Sequence, residues 1–303
     1  MPYDLTAPLV IGISSRALFD LEAENRIFET EGLAAYEEYQ VRHERDILPK
    51  GPAFSLAQAF LELNKLGNER LVEVIIMSRN SPNTSLRIFN SIAHYGLDIT
   101  RAALSGGASV APYLKPFQTD LFLSAYGPDV QSAIDSGIAA GTIVTGGSHD
   151  RGMDQIRIAF DGDAVLFSAD SERIYQQEGL DAFAAHEQSL ADEPMRKGPF
   201  ANFLMTVAHI QSQFSDRESA PIRTALVTSR NAPAHERAIK TLRQWGVRVD
   251  EAFFLGGVRK QEVLSAFGAH IFFDDQVTHT EPAAQVVAAA LVPYPEGQDP
   301  MKA

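Results

Sequence analysis

"RIAFDGDAVLF", residues 157–167, decides how the rest of the chain is read. A short apolar run ends on two aspartates, Asp161 and Asp163, with Gly162 between them. Along a strand, positions two apart return to the same side. Glycine at the strand end lets the chain turn tightly, so both acids can face one pocket. "VIGISSRALFD", residues 10–20, has the same cadence without the acids: Ser14 stands in the place of Asp161, and Arg16 in that of Asp163.

Outward from these two phrases the chain alternates. "LVIGIS" precedes a helical stretch over 22–42, "VEVIIMS" one over 84–94, "RIAF" one over 171–187 and "TALVTS" one over 234–245; "HIFFDD" follows near the end. Strand and helix in alternation with short links predict an α/β fold with a mainly parallel sheet. Ligands in such sheets gather beyond the carboxyl ends of the strands. Asp161, Thr228 and Asp274 each fall at such an end.

The two halves also repeat one another. "RIFETEGLAAYE" (26–37) aligns with "RIYQQEGLDAFA" (173–184), and "KGP" occurs at both 50–52 and 197–199. "MSRNSP" (77–82) aligns with "TSRNAP" (228–233), "LSGG" (104–107) with "FLGG" (254–257) and "LFLSA" (121–125) with "IFFDD" (271–275). Collinear words over most of each half predict an internal duplication into two Rossmann-like lobes, residues 1–145 and 155–295. "TGGSHDRGMD" (145–154) reads as a linker, and residues 296–303 as a tail. The segment 168–221, with helical patterns over 171–187 and 200–214, reads as an insertion in the second lobe. The double glycines read as tight turns, and His270 as a packing residue.

With 303 residues, 45% hydrophobic and 21% charged, the chain has the composition of a soluble globular protein. A net charge of −13 argues against nucleic acid and anionic membranes as partners. The absence of cysteine excludes disulfides, zinc–thiolate sites and a cysteine nucleophile. "MPYDLTAPLV" has no basic region leading into an apolar one, so cytoplasm is the expected compartment. Self-association stays open.

The halves differ where charge matters. Asp161, Asp163, Lys260, Asp274 and Asp275 of the second half align with Ser14, Arg16, Val110, Ser124 and Ala125 of the first. Loss or reversal of all five charges, while framework words survive, points to one site present in one half only. Phosphoryl transfer through an aspartate fits it. A carboxylate can attack phosphorus and form an acyl phosphate, and a second carboxyl can protonate the leaving oxygen and then activate water. Such a site needs cations. Mg²⁺ takes oxygen ligands, which Asp274–Asp275 would help supply. Lys260 would hold the phosphate, and Thr228 or Ser229 would donate a hydroxyl hydrogen bond to it. Asp274–Asp275 have a plainer reading as the cap of a helix containing "AAQVVAAAL". Ser229, Arg230 and Asn231 either contact substrate or start a helix.

D-x-D-x-V at Asp161–Val165, Thr228, Lys260 and the pair Asp274–Asp275 resemble the four motifs of the haloacid dehalogenase-like phosphohydrolases. "AFDGDAVLFS", "SRNSPNTSLRIFNSI", "LVTSRNAPAHERAIKTLR" and "HIFFDDQ" are similar to the cytosolic 5′-nucleotidase I family, over about residues 9–294. The resemblance implies Mg²⁺-dependent hydrolysis of nucleoside 5′-monophosphates, AMP and deoxynucleotides prominent among them, and a helical cap over the active site formed by the insertion 168–221. In that scheme Asp161 is the nucleophile and Asp163 the acid and base. Asp161, Asp163 and Asp274 or Asp275 hold the metal, and Arg259 or Lys260 meets the phosphate. Other phosphomonoesters, phosphoryl transfer to a nucleoside, and a nucleotide sensor with little turnover are the alternatives. Arg16, in a pocket without acids, either orients substrate between the lobes or marks a second anion site.

Overall fold

The computed structural model describes residues 4–66, 69–144, 155–214 and 220–300. The first half comprises β1 (Leu9–Ile13), α1 (Ser15–Leu18), α2 (Glu22–Glu31), α3 (Leu33–Arg42), α4 (Phe54–Glu62), β2 (Val72–Ser78) and α5 (Leu86–His94). It continues through β3 (Arg101–Leu104), α6 (Ala111–Leu114), β4 (Leu121–Ser124), α7 (Gly127–Asp135) and β5 (Ala139–Ile143). The second half comprises β6 (Ile156–Phe160), a turn over Gly162–Leu166, α8 (Asp170–Glu178), α9 (Leu180–Ser189), α10 (Ala201–Ser212), β7 (Ile222–Thr228) and α11 (His235–Gln244). It ends with β8 (Glu251–Phe254), α12 (Lys260–Phe267), β9 (Ile271–Asp274), α13 (Val277–Ala283) and β10 (Ala288–Leu291).

All ten strands join one sheet in the order β3-β2-β1-β4-β5-β10-β9-β6-β7-β8. Within each half every pairing is parallel; β5 and β10 meet antiparallel, with Ala290 opposite Ile143 and Leu291 opposite Thr142. From the middle outward the two halves therefore run through their strands in the same succession. Helices cover both faces, so central strands such as "VEVIIMS" are buried at every position. A phenylalanine cluster fastens α10 to the second half of the sheet: Phe200 lies 4.5 Å from Phe273, and Phe160 lies 5.6 Å from Phe273.

Two consequences position the sites. In each half the strand order reverses direction between the first strand and its neighbour, β1 beside β4 and β6 beside β9. Crevices for ligands open at such points, beyond the carboxyl ends of the strands. Because β5 and β10 are antiparallel, the carboxyl ends of the two halves lie on opposite edges of the sheet.

The single helices expected over 22–42 and 171–187 are each broken. Gly32 (φ 89, ψ −178) separates α2 from α3, and Gly179 (φ 86, ψ −176) separates α8 from α9. Only glycine adopts that backbone region readily. The insertion expected in the second half, with two helical patterns, forms three helices and has a counterpart: α2, α3 and α4 link β1 to β2 as α8, α9 and α10 link β6 to β7. "AAQVVAAAL" is not one helix. α13 ends at Ala283, and Ala288–Leu291 is strand β10. The double glycines do form turns, with positive φ at Gly106, Gly107, Gly256 and Gly257. His270 is buried and accepts the Arg157 backbone N–H at 3.1 Å. Residues 293–300 lie across the second-half edge, where Glu296 N–H donates to Asp135. The expected linker, 145–154, is outside the described residues.

Candidate active site

Asp161 continues β6, its N–H donating to Phe273 O at 2.8 Å, so the carboxylate emerges where the sheet ends. The chain then turns sharply. A side chain at Gly162 would come within 3.3 Å of Thr228 Oγ1, and Ala164 sits at φ 59. Phe167 N–H closes the turn on Gly162 O. Thr228 ends the adjacent strand β7; its Oγ1 accepts the Arg230 N–H at 3.3 Å, which leaves its own hydrogen free to donate.

Lys260, the first residue of α12, is buried with its ammonium between two acids. Its Nζ donates to Asp161 Oδ1 and to Asp274 Oδ2, both at 2.6 Å. Asp275 joins them: Asp161, Asp274 and Asp275 each offer an oxygen within 4.8 Å of the others. Arg259 is exposed, so Lys260 is the basic group at the acids. His279 Nδ1 lies 3.2 Å from both oxygens of Asp274, and the Tyr294 hydroxyl donates to Asp275.

One ammonium does not balance three carboxylates, two of them buried and that of Asp275 half-buried. Burial pushes Asp161 up to about 7 against the pull of Lys260, with the charges of Asp274 and Asp163 adding to the rise. Burial, then the Asp161 and Asp274 charges, pushes Asp275 up to about 8. Burial acts on Asp274 too, but Lys260 and His279 hold its carboxyl below the ordinary range. Burial works against the Lys260 ammonium, yet its two carboxylate partners hold its pKa above that of a free lysine. The surplus negative charge is met by protons or by a cation. The donor set is oxygen only, which suits a hard divalent ion such as Mg²⁺.

Asp163 departs from expectation. Both its oxygens are taken by Arg230, Nε at 2.7 Å and Nη2 at 2.6 Å, so its carboxylate lies in an ion pair and not in the three-acid group. Arg230 is itself buried, and pairs with Glu187 of α9 as well. Glu187 also accepts from Arg237 at 2.9 Å and from Ser171 at 2.8 Å. Arg230 is thus a strut between the crossover helices and the site, its guanidinium fully engaged, in place of the substrate contact expected of it. Ser229 and Asn231 are exposed at the mouth of the β7–α11 loop, and α11 has no side-chain cap from either.

Arg16 is not at this site. It follows β1, five strand spacings from β6, or about 24 Å, and on the opposite sheet edge. Its guanidinium bonds Asn25 and Glu22. Substrate orientation at Asp161 by Arg16 is excluded by that placement. Glu187, His279 and Tyr294 had no signal in the sequence, apart from the place of His279 on the helix after the acid pair.

A sequence profile of the 5′-nucleotidase family matches residues 1–299. The chain belongs to the 5′-nucleotidase family. Human cytosolic 5′-nucleotidase 1B is 39% identical over 293 residues, 93% of this chain and 48% of that protein. The chain thus spans about half the length of that curated relative. A crystal structure of histidinol dehydrogenase from Elizabethkingia anophelis aligns at 9% identity over 93% of this chain and 79% of that one, with a TM-score of 0.21, a likeness that bears on neither fold nor function. Among the described residues no helix is long and apolar enough to cross a membrane.

Proposed function

We propose that this 5′-nucleotidase family member hydrolyses nucleoside 5′-monophosphates, AMP and deoxynucleotides among them, in the cytoplasm and with Mg²⁺. The observation that carries the proposal is the placement of Asp161: at the end of β6, bonded to Lys260 and within 4.8 Å of Asp274 and Asp275. A carboxylate so placed can attack phosphorus while the lysine balances charge on the phosphoryl oxygens. Asp161, Asp274 and Asp275 are the residues that would hold Mg²⁺, whose charge stabilises the phosphoryl group.

In the first step an Asp161 oxygen bonds to phosphorus and the bond from phosphorus to the ester oxygen breaks. That oxygen takes a proton from Asp163. In the second step water, deprotonated by Asp163, attacks the acyl phosphate and releases inorganic phosphate. Thr228 donates its hydroxyl hydrogen to a phosphoryl oxygen throughout. Arg230 sets the rotamer of Asp163 from behind, and the ion pair must loosen for Asp163 to carry a proton.

The two halves are, in this reading, copies of one unit, and only the second kept the acids. The matched strand successions, the breaks at Gly32 and Gly179, and the isolated bridges Phe19–Lys50 and Phe167–Lys197 support it. The test is phosphate release, with and without Mg²⁺, across ribo- and deoxyribonucleoside monophosphates, sugar phosphates, and AMP with an acceptor nucleoside. Mg²⁺-dependent release from the nucleotides is expected. Preference for sugar phosphates, or transfer to the acceptor, would replace the assignment.

A further inference from the structure

The first half carries its own pocket at the equivalent strand ends, on the opposite sheet edge from Asp161. It encloses about 460 Å³ and is floored by residues after β1, β2 and β4, with α2 and α3 as its roof. That volume is in the range of small-ligand sites. Its floor replaces each metal-type acid: Ser14 stands for Asp161, Ser124 for Asp274 and Ala125 for Asp275. Among the described residues, the acid cluster able to hold a metal is the one in the second half.

What the floor offers instead is donors. Arg16 Nε and Asn80 Nδ2 are buried at the pocket and have no acceptor in the protein. Ser14 Oγ accepts the N–H groups of Ala17 and Ala125, at 3.2 and 3.3 Å, so its hydrogen is free to donate. Buried donors without partners are rare and call for an acceptor. Lining acids are engaged elsewhere: Asp129 pairs with Arg79, and Glu24 with Arg87. Glu29 is exposed and Glu37 half-buried, both on the roof helices. Phe28 and Tyr126 are 48% and 44% exposed, offering aromatic faces to the same cavity. The Arg79 guanidinium stacks 4.4 Å from the Tyr126 ring and stiffens it.

We propose that the first half binds an aromatic phosphate ester of the nucleoside monophosphate class, intact and without a metal ion, in this pocket. The orphan donors take the phosphate oxygens, and Phe28 and Tyr126 flank the base. Among the described residues Ser14, in the place of Asp161, has only the Ala17 and Ala125 N–H groups as partners and no general base to activate its hydroxyl, so the ester is held and not cleaved. The choice of nucleoside phosphates over other aromatic anions rests on the function proposed above.

The test is calorimetric titration of the full chain with AMP in EDTA. Saturable binding is expected, weakened at least about tenfold by Ser14→Asp, which sets a carboxylate against the phosphate. Asn80→Leu, at a half-buried position, is expected to do the same and serves if Ser14→Asp fails to fold. Lys260→Met is expected to leave this binding unchanged. Adenosine and inorganic phosphate are each expected to bind more weakly than AMP. No binding at about 1 mM AMP, binding that survives both first-half substitutions, or binding lost with Lys260→Met would overturn the proposal. Equal affinity for adenosine or for phosphate alone would overturn it too. Binding in EDTA without Mg²⁺-dependent phosphate release would sink the proposed catalysis and leave this site standing.

Discussion

Lys260 is the residue on which the acid cluster turns. Its ammonium is the cation shared by Asp161 and Asp274, and all three are buried. Lys260→Met keeps the stem and removes the charge. Removing one partner of a buried pair costs about 3–5 kcal/mol, so denaturant unfolding of the metal-free variant is expected to show a loss of that order, with phosphate release down at least about a hundredfold. The acids also set a pH signature. Asp161 and Asp275 bind a proton more tightly folded than unfolded, where carboxyls titrate near 3.8. The stability they contribute is full below that value and is lost as pH rises through about 7 for Asp161 and about 8 for Asp275. The melting temperature of the metal-free protein should therefore fall across that window, and Mg²⁺ should raise it most at the upper end. A flat profile would mean the acids are not held together. Asp161, Thr228, Lys260, Asp274 and Asp275 were legible in the sequence because each marks a strand end or helix start. The partnership of Asp163 with Arg230 was not: Arg230 sits in the repeated word "SRN", but its partner Glu187 comes from a helix 43 residues away. The register of that helix is set by packing and not by spacing.

Among the elements, the turn after Asp161 depends on a glycine in a different segment. Gly198, in the second "KGP", lies against the turn so closely that a Cβ would stand 2.3 Å from Phe167 O and 2.5 Å from Val165 O. Gly51, in the first "KGP", meets the Phe19 backbone in the same way, at 2.7 Å. That close approach is what the repeated word encodes. Gly198→Ala must push the turn and Asp163 out of place. Phosphate release is expected to fall at least about tenfold, with stability lower by about 1–3 kcal/mol; unchanged kinetics would show that the turn does not position Asp163. Helices α5, α10 and α11 were readable to within two residues, since their apolar periodicity agrees with the packing. Strands β5 and β10 were not. "AAGTI" and "AAAL" are mostly alanine and glycine, which have weak strand preference. They are strands because the two halves meet there, packed closely at Gly141, where a Cβ would stand 2.8 Å from the Ala290 Cβ.

At the scale of the whole molecule, that narrow joint makes one sheet of two halves with oppositely facing ends. Trp245 is the only tryptophan and reports on the second half, whereas far-UV circular dichroism reports on both. In the native chain the two probes should give coincident unfolding transitions. Gly141→Val overfills the joint and should separate them; coincidence in that variant would mean that the halves are coupled elsewhere. The acid cluster and its lysine lie on one edge of the sheet, and the pocket floored by Ser14 and Ser124 lies on the other. All turnover by the full chain should then pass through one carboxylate. The decisive measurement is Mg²⁺-dependent release of phosphate from AMP by the Asp161→Asn protein, with circular dichroism and melting recorded on the same sample. Loss of at least about a thousandfold in a folded protein is expected. Turnover within about tenfold of the native rate would contradict catalysis through Asp161.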